Sequence, residues 1–371
     1  MKQASVLIIG GGIGGLTAAI ALRARGFAVC VIEKHPQWQV YGVGIIQQAN
    51  VIRAMHELGL LDDYLHAGFS FNEVEVAGPD GRLLARVPSP RLVEGRPSIV
   101  GISRRALHDI LVQRVTQAGA TIRLGLTATT LEDDGSGVTV TFSDGTTDRY
   151  AIVVGADGLY SQTRTILFPD APPPAFAGQG VWRYNLPRPA DVTCLRSYSG
   201  PVTAGLVPIS DPLMYMFLTT AAPGNPRYAA DEIAAAMRGK LAGGPPFIAA
   251  LAEQIVDNAG VVYRPLESIF VEGPWHKGNI VLLGDAVHAC TPHLGQGAGM
   301  AIEDAIVLAD ELAAASTAQV AFGGYQRRRY PRCQFIVDAS LAICNSQLGS
   351  GPHVDHGEMT ARMFEVVAQP L

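Results

Sequence analysis

The stretch SVLIIGGGIGGLTAAIALRARGFAVCVIEK, Ser5 to Lys34, decides the fold. Its first six residues are apolar and rich in branched side chains, which reads as a buried strand. A glycine-rich turn opening an alanine-rich helix follows, and AVCVIEK is a second strand. Strand, helix and strand in that order make a βαβ unit, which implies a parallel sheet covered by helices. Gly10, Gly12 and Gly15 meet the spacing G-x-G-x-x-G. The first permits the tight turn, the second lets a pyrophosphate approach the backbone, and the third lets helix and strand pack closely. The helix N-terminus adds the positive end of its dipole. Glu33 ends the second strand about 20 residues on, where an acid hydrogen-bonds a ribose hydroxyl. An acid there disfavours a ribose 2′-phosphate, so the turn fits the adenosine of NAD or FAD. Ile13, Gly14 and Lys34 complete this candidate set.

Composition sets the outer bounds. The chain has 371 residues, 48% hydrophobic and 16% charged, a globular composition with length for about two to three domains. Net charge is -5, and the densest positive cluster, RRRYPR from Arg327, reads as a solvated helix face. Neither DNA nor RNA is expected as a partner. The five cysteines (Cys30, Cys194, Cys290, Cys333, Cys344) show no C-x-x-C. That argues against a disulfide framework or a structural metal, and for a reducing, cytoplasmic compartment. Lys2 before an apolar stretch mimics a secretory signal, but the spaced glycines and the following strand mark a fold element. No apolar run approaches the roughly 18 to 20 residues that span a bilayer. A monomer or homodimer is expected.

Outward from the first unit, the chain reads as α/β (α+β). A helix lies at NVIRAMHELGLLDDYLHAG, a hairpin with a P-D-G turn at NEVEVAGPDGRLLARV, a helix at ISRRALHDILVQRVTQAGA and a second hairpin at GVTVTFSDGTTDRY. AIVVGADG is another buried strand running into a glycine turn. After Arg164 the texture changes to a proline-rich stretch, then short apolar runs with turns from Val181 to Phe270 and one helix at Asp231 to Leu241. GNIVLLGDA restores the strand-plus-glycine pattern, and the rest is helical to about Leu348. These shifts predict a discontinuous cofactor domain (1–72, 100–175 and 271–330). A sheet domain for substrate (73–99 and 176–270) and a C-terminal helical segment (331–371) complete the division.

A plain NAD dehydrogenase needs one such glycine turn. This chain has two more, GADGLYSQTR and GDAVHACTPHLGQGAGMAIEDA, each after an apolar strand. Together the three resemble the class A flavoprotein aromatic hydroxylases, typified by para-hydroxybenzoate hydroxylase, over roughly Ser5 to Arg332. PHLGQGAGMAIEDA is most similar to the salicylate, 6-hydroxynicotinate and urate hydroxylase branch. The resemblance implies a Rossmann-like FAD-binding domain with an inserted antiparallel substrate sheet and C-terminal helices. It also implies FAD as cofactor, NADH or NADPH as electron donor, dioxygen, a flavin hydroperoxide and a small aromatic substrate.

Residue by residue, the resemblance places Gly10, Gly12, Gly15 and Glu33 at the FAD adenosine site. Arg104, rather than Arg105, falls at the R-x-x-L helix start that reaches the FAD phosphates and ribityl region. Asp157 and Gly158 match the D-G motif, with Arg164 behind it, and Asp285 matches the G-D carboxylate that binds the ribityl chain. Pro292, Gly295, Gly297 and Ala298 form the edge that meets the flavin ring, where backbone N–H groups at a helix start stabilise developing negative charge. Substrate activation calls for a base or hydrogen-bond partner, for which His293 and Tyr215 are the candidates. Gln47 and Gln48 fall in the loop beside the flavin, and Arg183 is a candidate for a substrate carboxylate. His288 reads as structural, and His353 and His356 lack a convincing third ligand, so no metal is expected. The rival readings are a flavin oxidase or dehydrogenase and a non-catalytic flavin-binding protein.

Overall fold

The computed structural model describes residues 4–40, 42–198 and 203–371. Its first sheet has six strands in the spatial order His276–Lys277, Ile280–Leu282, Ile152–Gly155, Ser5–Ile9, Ala28–Glu33 and Thr121–Leu124. All neighbours are parallel except the first pair. Successive side chains alternate across a strand, and both faces of this sheet are covered. Val6, Ile8, Ile152 and Val154 join the core under helices, which includes Leu16, Ala19, Leu107 and Ile302. Leu7, Ile9 and Val153 meet a three-stranded antiparallel layer through Val138, Val140 and Phe142. Burial on both sides explains why the strand sequence is continuously apolar.

The second sheet has seven strands: Val262–Ser268, Ala175–Pro187, Leu213–Ala221, Ala204–Pro208, Leu195–Tyr198, Glu73–Ala77 and Leu83–Pro88. One face carries Trp182, Tyr184, Leu186, Met214, Met216 and Leu218, packed on Ala234, Met237, Leu241, Ile248 and Leu251 of two short helices. Alternation therefore directs Arg183, Asn185, Tyr215 and Phe217 to the opposite face, with Arg183 opposite Phe217 and Asn185 opposite Tyr215 in register.

That face meets a small sheet of Gly44–Gln47, Ile99–Ser103 and Phe69–Phe71. Two glycines set the distance. A β-carbon at Gly44 would lie 2.1 Å from the Tyr215 ring, and one at Gly101 would lie 2.0 Å from the Pro208 carbonyl oxygen. The C-terminal part of the chain is the helix Gly297–Ala314, the long helix Ala318–Leu348 and the helix His356–Ala368, the last capped by Asp355 accepting from the Glu358 N–H at 2.9 Å. No helix is long and apolar enough to cross a membrane among the described residues.

Because the Gly101 contact is backbone to backbone, it cannot be relieved by a side-chain rotation. Gly101→Ala is expected to cost about 1–3 kcal/mol of stability, read as a lower denaturant midpoint with an unchanged slope.

Candidate active site

The three glycine turns meet at the C-terminal ends of neighbouring parallel strands, the crevice where open α/β sheets bind ligands. Gly10 (φ +112°) has no room for a side chain: a β-carbon would lie 2.3 Å from the Ala156 carbonyl oxygen of the second turn. Gly15 would meet the Gly10 carbonyl oxygen at 2.0 Å. Gly12 has nothing within 4 Å and is the N-cap of Ile13–Ala24, with no side chain on the helix end. The first-turn N–H groups of that helix have no intrahelical acceptor, and the space beside Gly12 is open. Glu33 accepts from the Gly11 N–H at 3.0 Å and the His35 N–H at 3.1 Å, so it fixes the turn and keeps lone pairs for a ribose. Lys34 beside it is exposed.

In the second turn the Asp157 carboxylate accepts from the Ser161 hydroxyl (2.5 Å) and from the Thr163 N–H (2.9 Å) and hydroxyl (3.0 Å). Its side chain shapes its own turn and leaves Gly158 (φ +81°) facing open space. Arg164, 4% exposed, donates to the Leu159 and Ala286 carbonyls, both at 2.9 Å, and so ties this turn to the third.

Asp285 opens the third turn after Gly284 (φ +64°). Its carboxylate is accessible to water yet surrounded by protein; burial raises its pKa, an effect reduced by His288 and Arg104. Arg104 starts the helix Arg104–Gln117 beside it, whereas Arg105 points out and pairs with Asp109 at 4.0 Å. Burial lowers the pKa of Arg104, with Tyr215 and Asp285 opposing. Arg183 reaches the same space from the large sheet, pushed down to about 10 by burial and then by the charge on Arg104. Among the described residues, the side chains of Arg104, Arg183 and Asp285 make no direct hydrogen bond or ion pair, although Arg104 and Asp285 lie close enough for each to feel the other's charge. Tyr215 lies among them, with its oxygen accepting from the Ile46 N–H; burial raises its pKa, and Arg183 and Arg104 oppose.

The loop Pro292–Ala298 closes this space. Pro292–Leu294 is a 3-10 turn, Gly295 is left-handed at φ +66°, and Gln296 is the N-cap residue of Gly297–Ala314. Gln296 is 1% exposed; its amide exchanges hydrogen bonds with Asn50 and donates to Gln48. Gln48 in turn donates to the Leu294 carbonyl at 3.3 Å. Gln47, expected as a substrate contact, is buried; its Oε1 accepts from the Tyr64 hydroxyl at 2.8 Å and its Nε2 has no partner.

His293 is also placed differently from the expected base. Its Nε2 meets Gln179 Oε1 at 3.0 Å and Gln347 Oε1 at 3.2 Å, so the ring donates there, while Nδ1 accepts from the Thr291 hydroxyl at 3.0 Å. Burial pushes its pKa down to about 4, and the neutral ring joins the loop to the large sheet and the long helix. Neither glutamine carries a motif in the sequence.

Behind the third turn lies an ionic network that the sequence reading missed. Asp304 accepts from His288 Nε2 (2.6 Å), Arg329 Nε (2.7 Å) and the Gly284 N–H (3.1 Å). Glu303 binds Arg329 at 2.8 Å and Arg332 at 3.1 Å. Burial would raise the pKa of Asp304, but His288 and Arg329 hold it well below the usual carboxylate range. RRRYPR is therefore not a wholly solvated face, since Arg329 and Arg332 are 1% and 8% exposed. His288, Asp304 and Cys333 bring three ligand-type atoms within 4.8 Å of one another, but Arg329 already fills the cationic place beside Asp304.

Two expectations follow. Gly15→Ala should cost about 1–3 kcal/mol of apoprotein stability. Gly12→Ala should cost no more than about 1 kcal/mol, the capping preference alone, as compared by denaturant titration. For His293, the unfolded chain takes up a proton near pH 6.5 and the folded ring near pH 4. The unfolded state binds more protons in that window, so stability falls as pH drops through it. His293→Gln should flatten that part of the stability profile.

Comparison with known proteins agrees with this geometry. The FAD binding domain family matches residues 3–171 and 267–340. YetM of Bacillus subtilis is 33% identical over 369 residues, covering 98% of this chain and 99% of its own. The aurachin C monooxygenase/isomerase of Stigmatella aurantiaca is 32% identical over 345 residues, covering 91% of this chain and 88% of its own. The structure of a Klebsiella pneumoniae HpxO variant complexed with FAD superimposes with a TM-score of 0.85 at 25% identity, covering 99% of this chain and 94% of that one. The glycine turns fit FAD: Gly12 leaves its side of the turn open, and the side chains of Arg104 and Asp285 make no direct hydrogen bond among the described residues. The chain belongs to the FAD-dependent monooxygenases of the class A aromatic hydroxylase family.

Proposed function

We propose that this monooxygenase hydroxylates a small anionic aromatic or N-heteroaromatic substrate at the expense of NADH or NADPH. The observation that carries the reading is Arg183, half-buried beside Tyr215 and Arg104 with no carboxylate facing it among the described residues, whereas Arg104 has Asp285 nearby. Two desolvated guanidinium groups sharing a single nearby carboxylate call for a ligand that supplies further negative charge. Arg104 stands beside Asp285, on the cofactor side, and serves the FAD phosphates and ribityl region. Arg183 projects from the seven-stranded sheet, the roof of the site, and serves the substrate. A cation there lowers the pKa of a ring hydroxyl or ring N–H, so the substrate binds as its anion and needs no strong protein base. Tyr215, whose oxygen already accepts from the Ile46 N–H, has its own proton to donate to that anion.

The cofactor residues divide the FAD molecule among them. The turn Gly10, Gly12, Ile13, Gly14 and Gly15 takes the pyrophosphate, Glu33 the ribose, and Asp285 the ribityl hydroxyls. The D-G turn takes part through its backbone at Asp157 and Gly158. Pro292, Gly295, Gly297 and Ala298 line the ring edge, where the helix N-terminus favours negative charge. When bound and reduced by the nicotinamide donor, the flavin activates dioxygen so that one oxygen atom enters the ring and the other leaves as water. Donor, proton, dioxygen and substrate thus give oxidised donor, water and hydroxylated product. His293 holds the loop against the roof and helps keep bulk water out, which protects the oxygen-transferring step.

The purified protein is expected to be yellow. A panel of hydroxylated benzoates, N-heteroaromatic acids and neutral quinolones should stimulate NAD(P)H oxidation only through its anionic members. Labelled dioxygen should appear in the product; its absence, with stoichiometric peroxide, would favour an oxidase. Arg183→Gln should raise KM for the anionic substrate by about 10- to 100-fold, the size of a lost charge-assisted hydrogen bond, with FAD content unchanged. Stimulation by neutral rings alone, or an unchanged KM, would reject the anion reading.

A further inference from the structure

The helix His356–Ala368 lies beyond residue 340, where the family match ends. Its inner face nevertheless touches the ring-edge loop at two points. His356 Nε2 donates to the His293 carbonyl at 3.0 Å, and the fully buried Met363 places its sulfur 3.5 Å from Gln296 Nε2. The helix is fastened by cations at its far end. Arg53 donates to the carbonyls of Ala368 and Val367, both at 3.1 Å, and Arg332 to those of Gln369 (2.8 Å) and Pro370 (3.0 Å). Arg328 reaches the Leu371 carbonyl at 2.9 Å. Cations at a helix C-terminus satisfy its orphan carbonyls and oppose the negative end of its dipole. Arg53 and Arg332 both stand on Glu303, two turns into the helix that the ring-edge loop begins.

We infer that the C-terminal helix is a working part of the flavin site, with His356 and Met363 as positioning residues that hold Pro292–Ala298 against the flavin ring. Besides His293 and Gln296, the loop has no polar side chain to fix its height. Gly295, Gly297 and Gly299 are small, and Gln296 is held in an amide cage with Gln48 and Asn50. Met363 closes that cage from the outside, and His356 takes up the carbonyl of the residue that joins the loop to the roof. The inference rests on the loop being the flavin edge, and the test separates the two.

His356 is exposed, so replacing it does not open a cavity. In the full-length protein, apoprotein titrated with FAD should bind about three- to tenfold more weakly in His356→Ala, the size of one hydrogen bond. The flavin midpoint potential should fall as well, because displaced N–H groups stabilise less of the negative charge that reduction places at the ring edge. His356→Gln, which keeps a donor, should restore both. Gly297→Val, in the loop itself, is the control and should weaken FAD binding. If Gly297→Val weakens FAD and His356→Ala changes neither affinity nor potential, the inference is overturned and the loop assignment stands. If Gly297→Val is also without effect, the loop assignment fails and the inference with it. Equal losses in His356→Ala and His356→Gln, in step with melting temperature, would make the contact structural only and would overturn the positioning role.

Discussion

Asp304 is the constraint on which the cofactor side of the molecule depends. It is 0% exposed and meets a histidine, an arginine and a backbone N–H. A buried carboxylate is costly unless every lone pair is used, and breaking one partner of such a group costs about 3–5 kcal/mol. Here the N–H belongs to Gly284, the residue before Asp285, proposed above to bind the ribityl chain. The geometry of the third turn is thus inherited from a charge balance in the core. Glu303, one residue earlier, repeats the pattern with Arg329 and Arg332 and extends it to Asn50 and the amide cage. Both oxygens of Asp304 and of Glu303 are occupied, which holds the two carboxylates in one arrangement, while His288 Nδ1 is left buried without a partner.

Much of the fold was legible because it is written in local signals. The glycine spacing, the alternation of the hairpins and the apolar strands each reflect backbone geometry within a few residues. Arg104 was distinguishable from Arg105 by spacing to Leu107, and the structure sends Arg105 to a surface pair with Asp109. What escaped depends on residues far apart in the chain. Arginines at 329 and 332 look like any exposed cluster until Glu303 and Asp304 of another helix are set against them. Gln47 and Gln48 are adjacent at a strand end, and which one enters the core is settled by Tyr64, a helix away. His293 has the surroundings of a structural residue because Gln179 and Gln347, more than 50 residues distant, take both approaches to its Nε2.

The two sheets divide the labour differently. The parallel sheet and its turns offer mainly backbone: open N–H groups at Gly12, left-handed glycines at Gly158 and Gly284, and a carboxylate on either side. The roof offers side chains that can be exchanged without disturbing its own core, because Trp182, Tyr184 and Met216 face the other way. A chemistry common to the family and a substrate particular to the chain can therefore be set by separate surfaces, joined at the ring-edge loop.

The unpaired arginines have one more consequence, which concerns discrimination. A pocket built only for shape rejects a ring with one methylene too many or too few by about 1–3 kcal/mol. With Arg183 serving the substrate as proposed, an uncharged ring of the right shape is rejected, since seating it strips water from that guanidinium group and returns nothing. Recruiting this scaffold to a neutral aromatic would thus begin with discharging the roof at Arg183, before any wall is reshaped.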